Sequence, residues 1–226
     1  MKLTYTKKIV KRRNKELAII IPDNIDGFLN NCTIFDADRK GLNSILMSAL
    51  IMMKEKNIVV YFPLQKNEIE FYWAKGKSFI LGEKEICDVV FMHHSTQTPI
   101  SDWKEIKQSL KYSKSVREHF EADINFECDM YEKEYEKFEK SELGYKLKDV
   151  FSHHNRFDTC FFVGGLFSYM QLFIDLKDML ELPLEENFKN GKEADYIFFI
   201  DNYKKNGYDC PELGFFDKTL YKLRRK

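Results

Sequence analysis

Residues 86–94 read ICDVVFMHH. The apolar stretch is only four to five residues long and is rich in β-branched and aromatic side chains, which suits a strand better than a helix. In a strand, successive side chains point to opposite faces. His93 therefore falls on the face of Cys87, Val89 and Phe91, and His94 on the face of Asp88, Val90 and Met92.

Runs of the same kind recur along the chain. ELAIIIP at 16–22 is a short β-rich segment ended by proline, NIVVYFP at 57–63 reads as a buried strand, and TIFD at 33–36 is a further candidate. NEIEFYW at 67–73 alternates between apolar and polar positions, and Lys75-Gly76-Lys77 turns it toward SFILG. Later, TCFFVGG from 159 reads as a strand and turn, and DYIFFID at 195–201 as a strand buried on both faces. Asn206-Gly207 marks a tight turn beyond it.

Helical spacing separates these runs. Leu42, Ile45, Leu46, Ala49, Leu50 and Met53 form one stripe, with Asp38 placed as its N-cap. From Ser101, taken as an N-cap, Trp103, Ile106 and Leu110 form another. Val116, Phe120, Ile124, Cys128, Tyr131, Tyr135 and Phe138 predict a long surface helix with acids on its outer side. Leu143, Leu147, Val150, Phe151 and His154 continue the helical period after Gly144. LFSYMQLFIDLKDML predicts a buried helix stopped by Pro183.

The expected fold is α+β, with a mixed α/β arrangement as the variant. An N-terminal, largely antiparallel or mixed sheet carries one packed helix, 101–154 is helical, and a strand-helix-strand unit returns to the sheet. With 226 residues that are 44% hydrophobic and 15% aromatic, the chain suffices for one globular unit over 1–226. The stretch at 159–174 is slightly short for a membrane span, is bounded by Asp158 and Asp175 and contains Gln171, so it reads as core. Five cysteines without CxxC spacing, and a charged start with no apolar run behind it, point to a reducing cytoplasm.

Formal net charge is zero, but the charges are segregated. Residues 1–15 carry Lys2, Lys7, Lys8, Lys11, Arg12, Arg13 and Lys15 with no acid, while 118–142 carry ten acids against three lysines. Three readings follow: a basic arm for nucleic acid through Lys7, Lys8, Lys11, Arg12 and Arg13, an acidic face for a basic partner, or mutual pairing of the two.

Four of the five histidines form two adjacent pairs, DVVFMHH at 88–94 and DVFSHH at 149–154. A cross-pair site would use His93 with His153 or His154 as acid and base on a phosphodiester, with Ser95 on a phosphate oxygen. MHHS resembles the strand-borne H-x-S/T motif of two-histidine phosphoesterases, which implies a second such motif facing it. Here the second occurrence reads HHN, with Asn155 at the hydroxyl position. A divalent metal held by His93, His153 and Asp88 or Asp158 belongs to the same reading, although no H-E-x-x-H or Cys/His ligand spacing occurs. Otherwise no cofactor is expected.

Other constellations read as structural. In FDAD at 35–38 the carboxylates sit at a strand end beside a helix cap, and Gly164-Gly165 lacks a dinucleotide or P-loop fingerprint and suits a bend or close packing. Cys160 in CFFV reads as an inert buried thiol. Without a convergent reaction centre, the expected function is an interaction or inhibitor protein of the kind used as toxin immunity factors or phage inhibitors. It would bind a basic protein through Glu118, Glu121, Glu127, Glu132, Glu134, Glu136 and Glu139. Hydrolysis of a phosphodiester or nucleotide is the alternative.

Overall fold

The computed structural model describes residues 1–12, 15–23, 27–30, 34–37, 39–55, 57–63, 69–72, 78–81, 88–96, 98–141, 151–181, 195–199 and 212–217. The chain begins with strands β1 (Lys2–Arg12), β2 (Lys15–Pro22), β3 (Gly27–Asn30) and β4 (Ile34–Ala37), then helix α1 (Arg39–Lys54). Next come β5 (Ile58–Phe62), β6 (Ile69–Tyr72), β7 (Ser78–Leu81), β8 (Asp88–His93), α2 (Trp103–Tyr112), β9 (Ser115–Glu121) and α3 (Ile124–Glu139). The hairpin strands β10 (Ser152–Arg156) and β11 (Thr159–Gly164) lead into α4 (Leu166–Glu181), and β12 (Asp195–Phe199) and β13 (Glu212–Asp217) follow.

Seven strands form the main sheet in the order β10-β11-β8-β5-β2-β1-β9. The β2/β5 and β8/β11 pairs are parallel and the others antiparallel, so this is the mixed sheet of an α+β fold. Each central strand feeds two cores. On one face Ile20, Val60, Phe62, Val89, Phe91, Cys160 and Phe162 pack with α1, α3 and α4. On the other, Ile19, Val59, Tyr61, Val90, Met92 and Phe161 pack with Trp103, Ile106 and Leu110 of α2. Coverage on both faces is why these strands read as unbroken apolar runs.

The region expected as one long helix from 116 is divided. Ser115–Glu121 is the edge strand β9, antiparallel to β1, and the helix starts at Ile124. Val116 and Phe120 are four apart, an even number that satisfies a strand as well as a helix, and pairing with β1 decides between them. Asp123 caps α3 by accepting from the Asn125 and Phe126 amides at 3.2 and 3.3 Å. Ser101 does not cap α2. It lies in a 3₁₀ turn, and Asp102 at the N-cap makes no side-chain cap hydrogen bond. The second histidine pair lies on β10 instead of a helix, and residues 142–150 before it are outside the described residues.

After α4 the chain enters a second sheet, of order β12-β13-β4-β3, while β6 and β7 pair as a separate hairpin. The proposed cap Asp38 is outside the described residues. The segment 159–174 splits between β11 and α4, and among the described residues no helix is long and apolar enough to cross a membrane. Gly164 answers to close packing: a Cβ there would sit 2.7 Å from the Phe151 ring and 2.9 Å from Ser168 Cβ.

Candidate functional site

The two histidine pairs lie on the same sheet, separated by β11. His93 is level with Gly164, whereas His153 is level with Phe162 and His154 with Phe161. Two strand spacings sideways and three residues lengthwise put the His93 and His154 backbones roughly 14 Å apart. They also occupy opposite faces. His93 shares the side of Val89 and Phe91, while His154 pairs with Phe161, whose ring packs on Trp103. His154 is exposed, and the side chains of His153 and Asn155 are outside the described residues.

His93 and Ser95 do meet, within one turn. Ser95 Oγ lies 2.8 Å from His93 Nδ1, and the Ser95 amide donates to the same nitrogen at 3.1 Å. A ring nitrogen that accepts from a backbone N–H carries no proton, so the hydrogen of the neutral ring sits on Nε2. The Thr96 hydroxyl donates to the His93 carbonyl at 2.9 Å, completing a strand-ending turn in which His94 is exposed.

The carboxylates weighed as metal ligands are placed apart. Asp88 is buried and accepts from Tyr61 Oη at 2.8 Å and Lys107 Nζ at 2.5 Å. Asp158 is exposed on the turn between β10 and β11. Among the described residues, no group of three or more His, Cys, Asp and Glu side chains is arranged to hold a metal ion. Cys160 is fully buried in the larger core. Cys128 donates to Glu132 Oε1 at 3.0 Å, and burial followed by that carboxylate pushes its thiol up to about 12, which leaves it protonated and inert.

The basic N-terminal run is the sheet strand β1, and much of its charge is matched internally. Lys7 pairs with Glu118 at 3.4 Å, Lys11 with Glu16 at 3.2 Å, and Lys2 with Glu121 at 3.0 Å. Arg12 holds Asp102 at 3.4 Å and also Glu105, and Lys8 donates to the Leu110 carbonyl at 2.6 Å. Arg13 is outside the described residues. Burial first, then the Glu118 contact, push the Tyr5 hydroxyl up to about 12.

The seven acids therefore divide. Glu118 and Glu121 belong to β9 and face lysines of β1. Glu127 is buried against Lys54, and its second oxygen has no partner among the described residues. Glu132 receives the Cys128 thiol, and Glu136 pairs with Lys140 at 3.1 Å. Glu134 and Glu139 stand exposed on α3. Two further exposed side chains of α3 are absent from the apolar stripe: Phe126 is 67% exposed and Met130 42%. Their four-residue spacing, off the core stripe, was the available signal.

Comparison with protein-family models, with curated proteins and with solved structures returned no match.

Proposed function

We propose that the protein is a cytosolic interaction protein, an inhibitor of the toxin-immunity or phage type, which docks on a basic partner through the outward face of α3. The observation that carries this reading is the solvent-exposed pair Phe126 and Met130. Residues four apart on a helix are neighbours, so the two form one apolar patch. Asp129, three residues from Phe126, and Glu134, four from Met130, are exposed beside them on the same helix. An aromatic or methionine anchor inside a charged rim is the usual anatomy of a protein-binding hot spot. The fitting partner offers an apolar pocket edged by lysine or arginine.

Lys133, Lys137 and Lys140 are also exposed on this segment. The acids thus make a local rim, weaker in long-range steering than the composition of 118–142 implies. Affinity should come from the apolar pair together with the acid rim, whose share weakens as salt rises.

Capture from host lysate, with the natural chain beside a Phe126→Ser, Met130→Ser double variant, tests the reading. A basic partner held by the natural chain, released as salt rises and lost in a variant of unchanged melting temperature is the expected result. Equal retention by both proteins, or binding indifferent to salt, removes it.

A further inference from the structure

The hairpin between β10 and β11 closes in two residues, because Arg156 pairs directly with Thr159. Those residues, Phe157 and Asp158, have φ of 56° and 52°. Positive φ at both central positions is the type I′ pattern, which favours Asn-Gly, and a bulky side chain there is an outlier in backbone terms. Phe157 is 43% exposed and makes no ring contact with another aromatic among the described residues. The fold thus holds a partly exposed aromatic ring on an unfavourable turn.

Phe157 lines a cleft of about 540 Å³ on the α2 face of the sheet. Among the described residues four lysines line it, Lys8, Lys104, Lys107 and Lys111, with Asp158 as the one lining carboxylate. Lys8 and Lys107 are fixed from below by the Leu110 carbonyl and by Asp88. Lys104 and Lys111 are exposed and make no ion pair among the described residues. Spaced at three and four residues, Lys104, Lys107 and Lys111 run along one side of α2. Ile21, Leu110 and Tyr61 add apolar surface to the lining, and Gln108 an amide.

A row of ammonium groups beside an aromatic platform suits a ligand with a phosphate at one end and a flat ring at the other. We propose that this cleft binds a nucleotide, its phosphate on Lys104, Lys107 and Lys111 and its base against Phe157. The volume lies within the range of small-molecule sites, and stacking on an aromatic side chain is sequence-tolerant because every base has a π-face. A free mononucleotide and the terminal nucleotide of a strand share this chemistry. The cleft and the Phe126 patch lie on opposite faces of the sheet, so either assignment stands or falls without the other.

Calorimetry on the full chain at low salt, with adenosine monophosphate, adenosine, inorganic phosphate and a short oligoadenylate, provides the test. The nucleotide should bind at least about tenfold more tightly than adenosine or phosphate alone. A Lys104→Gln, Lys111→Gln double variant should weaken it about tenfold or more with no change in melting temperature. Phe157→Asn should also lose about tenfold in affinity while raising the melting temperature by about 2–4 °C, because asparagine suits the turn. Oligoadenylate binding more tightly, with a steep salt dependence, assigns the strand end, and equal affinities assign the free nucleotide. Absence of binding by both at millimolar concentration, or affinity unchanged in both variants, overturns the proposal.

Discussion

Asp175, on the α3-facing helix α4, is poorly placed for a charge, and replacing it with asparagine should stabilise the protein in a pH-dependent way. Burial, then the negative charges of Asp178 and Glu139, push its carboxyl up to about 7 from an ordinary 3.8. Asp178 is itself raised, by burial first, with Lys177 opposing and Glu132 and Glu181 adding to the rise. The Lys177 amine is engaged by Glu181 at 2.8 Å.

With its folded pKa above the unfolded one, Asp175 favours folding most when protonated, and that advantage fades as pH rises from about 4 through 7. At about 1.4 kcal/mol per pKa unit, the ionised carboxyl costs the fold at most about 4 kcal/mol at pH 8 and about 2 kcal/mol at pH 5. Asp175→Asn keeps the shape and removes the ionisation. Urea unfolding of both proteins between pH 5 and 8.5 should give a stability gain for the variant that grows with pH and levels off above 7. A gain independent of pH, or a variant less stable at pH 8, refutes the reasoning.

Three further outcomes are expected. Gly164→Ala should lose about 1–3 kcal/mol in chemical denaturation, because the Phe151 ring and Ser168 leave no room for a methyl group. Lys54→Met should cost about 2–3 kcal/mol by the same measurement, since it strands the buried carboxylate of Glu127. His93→Ala should cost about 1 kcal/mol through the lost turn hydrogen bonds to Ser95, and a variant as stable as the natural protein would show that the turn does not depend on the ring.

The elements legible in the sequence are those whose pattern admits one solution. Ile58–Phe62, Asp88–His93 and Thr159–Gly164 are too short and too apolar for anything but covered strands, and each is buried along most of its length. Helix α1 follows its stripe from Leu42 to Met53, all of it buried. The misread segments are ambiguous at short range. In 115–121 a four-residue spacing fits both periods, and SHHNR at 152–156 has no local preference strong enough to oppose pairing with β11. For the candidate site, the sequence reading placed Ser95 on a phosphate oxygen, whereas its hydroxyl and amide both meet His93 Nδ1 within one turn. The Phe157-Asp158 turn was not legible, since it lacks the glycine or asparagine that usually marks a two-residue hairpin.

By itself the sequence determined which segments had to be buried and that its charges were divided into blocks, because hydrophobic period and composition are local properties. Only the tertiary structure decided which charges meet. Lys7 finds Glu118 from 111 residues away and Lys54 finds Glu127 from 73 away, pairings set by strand register and helix packing. The same register sends His93 and His154 to opposite faces of one sheet, because each step along a strand reverses the side on which a side chain emerges.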